Sequence, residues 1–197
     1  MSARRLVLLF AAVCVALALG LVAGRWLLPE QQSTGTGVAQ IGGPFTLVDH
    51  TGRQVTQADF SDRHLLIYFG YTYCPDVCPT ELQVMTEALD LLGEDASEIR
   101  PLFITVDPER DTVPAMADYV AHFYDSFVGL TGSPEQVAAA AKAYRVYFAK
   151  GPRDEDGVYL MDHSSFVYLM GRDGAYLAHF GPGTAPQAMA DKIRSFL

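Results

Sequence analysis

Cys74 and Cys78 stand where a strongly apolar run, Leu65 to Tyr73, meets Pro79-Thr80-Glu81-Leu82, which reads as a helix start. Two thiols this close can form a disulfide, act as a redox pair or share a soft metal ion. The pattern predicts Cys78 as the helix cap and Pro79 as the first helical residue, so that free backbone N–H groups and the helix dipole favour thiolates, which are both nucleophiles and metal ligands. An i, i+4 pair at a helix start has Cα atoms roughly 6 Å apart, within the range of a disulfide, and its sulfurs can converge on one ion. A purely structural disulfide closing so short a loop would add only about 2 kcal/mol on the chain-entropy account. Two isolated buried thiols are the other plain reading. Pro75 and Pro79, the intervening Asp76 and the strand-to-helix position argue instead for an exposed turn carrying a functional pair.

The spacing differs from the Cys-x-x-Cys of thioredoxin-type oxidoreductases. Paired thiolates suit Cu(I), and an added imidazole makes a site able to hold Cu(II) as well. Zinc with two cysteines, one histidine and an open position fits the same donors. The chain has five histidines. His122 falls mid-helix, His179 in a final hairpin, His50 in a hairpin turn, and His64 at the edge opposite the cysteines. His163 differs in topology. The cysteines follow the C-terminal end of a strand, and an antiparallel strand starting at Ser164 would begin at that same edge, so His163 can face them. Asp107-Pro108-Glu109-Arg110-Asp111-Thr112 follows a second buried strand and lies near that edge too. It reads as a loop with Asp111 or Thr112 as helix cap, or as support for the site or for a partner. None of its residues is expected to be a metal ligand.

The elements that must position these residues follow from periodicity and turn chemistry. Phe45 to Val48, a turn at Asp49-His50-Thr51-Gly52, and Arg53 to Val55 predict a hairpin. Leu65 to Tyr71 and Pro101 to Val106 read as buried strands, Pro79 to Leu92 and Thr112 to Tyr124 as helices, and Phe127 to Leu130 as a short strand. Ser133-Pro134-Glu135-Gln136 starts an alanine-rich helix running to Tyr144. Tyr144 to Ala149 could continue as extended chain. A polar loop, Gly151 to Gly157, precedes a hairpin of Ser165 to Met170 and Ala175 to Phe180, and a last helix spans Pro186 to Phe196. Alternation followed by a hairpin and helix predicts an α/β fold, a mixed sheet with helices on both faces.

Leu6 to Gly24 carries no charge over 19 residues, follows Arg4 and Arg5 and precedes Arg25 and Trp26. That length spans a bilayer, and the basic residues before it with no further Lys or Arg until Arg53 place the body of the chain outside the cytoplasm. A cleaved signal peptide ending near Ala18-Leu19-Gly20 is the competing reading, but the run exceeds the usual ~7–15 residue signal core. Cys14 lies inside it as an ordinary apolar residue. The expected organisation is an anchor over 1–28, a Gln/Ser/Thr/Gly-rich tether over 29–43 and one folded domain over 44–197. A flexible tether of roughly ten residues keeps the domain within about 20 Å of its anchor. Setting aside Arg4 and Arg5 leaves 12 basic against 23 acidic residues, a net charge of −11 for the exported part. Nucleic acid is thereby excluded as a partner class.

Three separated motifs, Tyr68-Phe69-Gly70-Tyr71-Thr72-Tyr73-Cys74-Pro75-Asp76-Val77-Cys78-Pro79, Val106-Asp107-Pro108-Glu109-Arg110-Asp111-Thr112 and Asp162-His163-Ser164, resemble the Sco (SCO/SenC) family in the same order. The resemblance implies a thioredoxin-like fold and a copper site made by Cys74, Cys78 and His163, holding Cu(I) or Cu(II). It also implies a task in assembling the dinuclear copper A centre of cytochrome c oxidase subunit II, by handing over copper received from a donor protein or by keeping that subunit's cysteines reduced. The setting would be the inner membrane, with the domain in the periplasm or an equivalent compartment. A thiol-disulfide reductase would use Cys74 and Cys78 as its redox pair. Such enzymes place a cis-proline before the strand facing their cysteines, and Met161-Asp162-His163 has none, which favours metal. A peroxidase needs a single activating cysteine, and a pure interaction module leaves three motifs on one edge unexplained.

Overall fold

The protein is described here from a computed structural model covering residues 41–197. The expected anchor and the tether up to residue 40 lie outside the described residues; among those described, no helix is long and apolar enough to cross a membrane. Residues 41–43 run as coil, and Gly42 N–H donates to the Ala143 carbonyl at 3.0 Å. The first hairpin joins β1 (Thr46–Asp49) to β2 (Gln54–Thr56). One Asp49 carboxylate oxygen closes its turn by accepting from Thr51 N–H (2.9 Å), the Thr51 hydroxyl (2.6 Å) and Arg53 N–H (3.0 Å), while Gly52 takes a φ of 87°.

After a 3-10 turn over Gln57–Phe60 come β3 (His64–Gly70), α1 (Val77–Leu92), β4 (Ile99–Thr105), α2 (Val113–Val120), β5 (Val128–Thr131) and α3 (Pro134–Ala143). A small hairpin, β6 (Phe148–Arg153) and β7 (Tyr159–His163), then β8 (Val167–Met170), β9 (Tyr176–Phe180) and α4 (Pro186–Arg194) complete the chain. The main sheet has the order β2-β1-β5-β4-β3-β8-β9, and β6 with β7 form a separate two-stranded sheet. β3 pairs in parallel with β4 from His64↔Ile99 to Gly70↔Thr105, and antiparallel with β8, where Tyr68 faces Val167. Strands covered on both faces need apolar residues at every position, which is why Leu65–Phe69 of β3 and Pro101–Ile104 of β4 read as unbroken apolar runs.

Alternation along β3 divides the core. Tyr68 lies on the face of α1 and α2, stacking on Phe103 (ring centroids 6.4 Å apart), which in turn meets Tyr119 of α2 at 5.2 Å. Phe69 points to the other face and meets Tyr144, at the end of α3, at 5.5 Å. Helices therefore cover both faces of a mixed sheet, as the alternation predicts. Ser133 caps α3 by accepting from Gln136 N–H, with Pro134 in the first position.

Strand and helix ends shift by a residue or two at several places, among them the last helix, which ends at Arg194 and not Phe196, and three differences stand out. α1 starts at Val77, with Asp76 as its N-cap, so Cys78 lies inside the first turn and Pro79 is the third helical residue. Proline is tolerated there because the first-turn N–H groups have no intrahelical partner. α2 stops at Val120, four residues before the expected Tyr124; His122 and Phe123 N–H bond three residues back, and the His122 Nδ1 donates to the Asp118 carbonyl at 2.7 Å. The expected polar loop is instead the β6–β7 hairpin. Its turn is closed by one Asp154 oxygen accepting from the N–H groups of Asp156 and Val158, with Gly157 at φ 79°.

Tyr144 is fully buried, packs on Phe69 and Tyr168, and its hydroxyl has no hydrogen-bond partner. An unpaired buried hydroxyl costs stability, so Tyr144→Phe is expected to leave the thermal midpoint unchanged or raise stability by about 1 kcal/mol. A loss of that size in calorimetry would show that the hydroxyl is bonded after all.

Candidate metal centre

The sulfurs of Cys74 and Cys78 and a ring nitrogen of His163 all lie within 4.8 Å of one another, the single group of its kind among the described residues. Both cysteines are free thiols; Cys78 is buried and Cys74 half-buried. Cys78 N–H donates to Cys74 Sγ at 3.3 Å, a first-turn helix N–H directed at sulfur. Cys74 is held far down, at about 3, first by the hydrogen bond from the Cys78 thiol, against the opposing effect of burial, and then by the backbone N–H groups of Asp76 and Cys78. Cys78 is pushed up by that same bond and by burial. The one contact thus moves the two thiols in opposite directions.

Cys78 is seated by close packing. A Cβ added at Gly70 would lie 2.9 Å from Cys78 Sγ and 2.9 Å from the Phe103 ring, so only glycine lets the thiol sit against the end of β3. The Tyr68 hydroxyl, itself in the core, donates to Cys78 Sγ at 3.9 Å.

His163 ends β7 and does not start β8, a correction to the expected element. It still reaches the cysteines, because β8 runs antiparallel to β3 and its first residue, Val167, pairs with Tyr68 near the cysteine end. The His163 Nδ1 lies 3.0 Å from the Ser164 carbonyl oxygen, which can only accept, so Nδ1 carries a proton. In the neutral ring Nε2 is then the nitrogen with a free lone pair, and it stands 3.4 Å from Cys78 Sγ. Edge contacts from Tyr68 (6.1 Å) and Tyr71 (5.9 Å) fix the ring plane. The other histidines are elsewhere: His50 Nδ1 accepts from Gly129 N–H, His122 bonds Asp118, His179 bonds the Tyr176 hydroxyl, and His64 begins β3 at its far end.

The Asp107–Thr112 segment proves to be the frame of the site. Thr112 caps α2. Asp111 instead accepts from Thr72 N–H (3.1 Å), the Thr72 hydroxyl (2.6 Å) and the Thr105 hydroxyl (2.5 Å), tying the residues before Cys74 to the end of β4. Burial pushes the Asp111 carboxyl up, and these bonds oppose the shift. Arg110 donates from Nε to Asp107 (2.5 Å) and from Nη1 to the Tyr159 carbonyl (2.9 Å), while its guanidinium lies 3.7 Å from the Tyr159 ring centre and 4.7 Å from that of Tyr73. The Tyr159 hydroxyl donates to the other Asp107 oxygen at 2.9 Å. The tyrosines that shape the site lie within or beside the three sequence motifs, but nothing in their spacing distinguishes them from core aromatics.

Glu81, one helical turn beyond Cys78, is buried; Gly183 N–H donates to it, but its Oε2 has no partner. Burial raises its carboxyl above the ordinary range. An acid whose folded value is raised contributes most below its unfolded value of about 4.3 and loses stability as pH rises through the folded value. Glu81→Gln is therefore expected to raise the thermal midpoint at pH 8 by about 3 °C, the effect of ~1 kcal/mol in a domain of this size, and to give no gain at pH 4. An equal shift at both pH values would mean that the carboxyl stays in one protonation state.

Residues 33–197 match the family model described as SCO1/SenC. The chain is 44% identical over 172 residues to the human protein "SCO1 homolog, mitochondrial", covering 86% of this chain and 57% of that one, so it spans little more than half the length of that relative. It is 39% identical over 198 residues to SenC of Rhodobacter capsulatus, covering 96% of this chain and 89% of the relative. Among solved structures it resembles Bradyrhizobium japonicum ScoI with copper bound, at 43% identity and a TM-score of 0.74, covering 80% of this chain and 99% of that one. The thioredoxin-like fold, the three motifs and these similarities agree, and the chain belongs to the SCO1/SenC family.

Proposed function

We propose that this protein is a membrane-anchored copper carrier that helps assemble the dinuclear copper A centre of cytochrome c oxidase subunit II, with Cys74, Cys78 and His163 as its copper ligands. The observation that carries this reading is the convergence of two free thiols and one correctly oriented imidazole nitrogen within 4.8 Å. Two thiolates match a soft Cu(I) ion, and the imidazole extends the donor set to Cu(II). Copper is the cargo here. The chain's own part is to present Cys74 as a half-exposed thiolate that an acceptor's thiolate can reach, while Cys78 and His163 stay fixed behind it. Relatives solved with copper bound support the choice of metal. The proposed organisation is an anchor over 1–28, a tether over 29–43 and a copper-binding domain over 44–197, in the inner membrane with the domain on the exported side. A copper donor protein would load it.

The lowered Cys74 thiol beside the raised and buried Cys78 thiol also favours a second reading, a reductase that keeps the oxidase subunit's cysteines reduced. Here Cys74 would attack the target disulfide and Cys78 would resolve the mixed disulfide.

A copper titration of the reduced exported part, residues 30–197, separates the two. The carrier reading predicts one equivalent bound, with a thiolate-to-copper charge-transfer band for Cu(II). Cys74→Ala and Cys78→Ala are expected to abolish that band. His163→Ala is expected to weaken Cu(II) at least about tenfold more than Cu(I), since two thiolates alone satisfy the softer ion. An unaltered Cu(II) spectrum in His163→Ala would remove that ligand from the assignment, and no binding by verified free thiols would shift the case to the reductase.

A further inference from the structure

Three tyrosine rings pack among the central strands, and their hydroxyls fare differently. Those of Tyr119 and Tyr144 are buried without a hydrogen-bond partner, so phenylalanine would fill either place as well. The hydroxyl of Tyr68 is not left over. It donates to Cys78 Sγ at 3.9 Å, and Tyr68 is fully buried, so bulk water does not compete for that donor. The Ser165 side chain is the other polar group against the same oxygen.

The Tyr68 ring is held so that its hydroxyl has little choice of direction. It stacks on Phe103 with only 15° between the ring planes, and it meets the His163 ring edge-on at 6.1 Å. Gly70, two residues along the same face of β3, completes the seat. A Cβ there would lie 3.0 Å from Tyr68 Cε1 and 2.9 Å from Cys78 Sγ, so the glycine admits ring and sulfur together. Tyr68 thus touches two of the three donors, Cys78 through its proton and His163 through its ring.

We infer that Tyr68 is a positioning residue that sets the oxidation state the site prefers: its hydroxyl, bonded to the Cys78 sulfur, weakens that sulfur as a donor and favours Cu(I) over Cu(II). The inference rests on the metal-carrier reading and deepens it, because the donor set alone suits both ions. A thiolate that shares a lone pair with a proton donor gives less charge to the metal. Cu(II), the more electron-poor ion, loses more by this than Cu(I), and hydrogen bonding around a copper-bound sulfur tunes the potential for that reason. His163 acts in the opposite sense, since the imidazole is what extends the site to Cu(II).

The test compares Tyr68→Phe with Tyr144→Phe in the full chain, purified in detergent and reduced before loading. Tyr144→Phe removes a buried hydroxyl on the other face of the sheet, where Tyr144 packs on Phe69. Affinities for Cu(I) and Cu(II) are measured separately by chelator competition, with the copper midpoint potential, the charge-transfer band and circular dichroism recorded for each variant. Tyr68→Phe is expected to shift the affinity ratio about tenfold toward Cu(II), a fall in potential of ~59 mV for a one-electron couple, and to move the thiolate-to-copper band to longer wavelength. Tyr144→Phe should match the wild type in ratio, potential and band. Replacement of Tyr68 by 3-fluorotyrosine adds one fluorine and makes the hydroxyl a stronger donor, so it is expected to raise the potential, and it carries the test if Tyr68→Phe does not fold. An unchanged ratio in Tyr68→Phe, or equal weakening of both ions, would mean that Tyr68 only packs there, although the carrier reading stands. If wild type with verified free thiols takes up no copper, the carrier reading falls and this inference falls with it.

Discussion

Arg110 is one cation held by three segments that the chain brings from far apart. Its guanidinium lies against Tyr73, just before the cysteines, against Tyr159 of β7, and in an ion pair with Asp107 after β4. A thiol pair alone would bind a soft metal without much geometry. What brings a third donor within reach is that β7, carrying His163, is fastened to the cysteine segment, and Arg110 with Asp107 and Tyr159 is that fastening. The guanidinium suits the task because it can stack on rings and donate in a plane at once, which a lysine cannot do. With the Asp107 side chain only 1% exposed, the ion pair is worth more as a device for position than as a source of net stability.

Around this tie the remaining parts are consistent with one another. Asp111 spends its acceptors on Thr72 and Thr105, so the turn leading to Cys74 is referenced to the rigid end of the sheet. Gly70 leaves room for Cys78 against β3, and the Ser164 carbonyl fixes which nitrogen of His163 is free. The burial of Asp111 and of Glu81 carries a desolvation cost, which the sheet and helix packing around them must outweigh. The result is an asymmetric pair of thiols, Cys74 half-buried and pushed toward ionisation, Cys78 enclosed and pushed away from it.

How far this was legible in the sequence depends on the range of the interaction involved. The buried strands β3 and β4 and the cap of α3 are local patterns, and they were read correctly; the cysteine pair was placed at the right strand-to-helix junction, but Cys78 is buried inside the first turn instead of capping the helix in an exposed turn. His163 was reachable by a topological argument, because an antiparallel strand beside β3 must start at the cysteine end, even though His163 belongs to the strand before. The β6–β7 hairpin was missed because a two-stranded sheet with one face in solvent carries Lys150, Gly151, Pro152 and Arg153, residues that also make loops. The start of α1 was placed two residues late because Pro79 signals a helix beginning without fixing which first-turn position it takes. The segment holding Arg110 was read as possible support for the site, but which residues it ties together was not, since its contact with the Tyr159 carbonyl spans 49 residues.

The central claim is that Cys74, Cys78 and His163 act as one ligand set. Copper K-edge X-ray absorption on the chain loaded with one equivalent of Cu(II) tests it without reference to activity. The account predicts a coordination shell with two sulfurs and an imidazole nitrogen, the imidazole scattering disappearing in His163→Ala. A shell of nitrogen and oxygen donors without sulfur would contradict it.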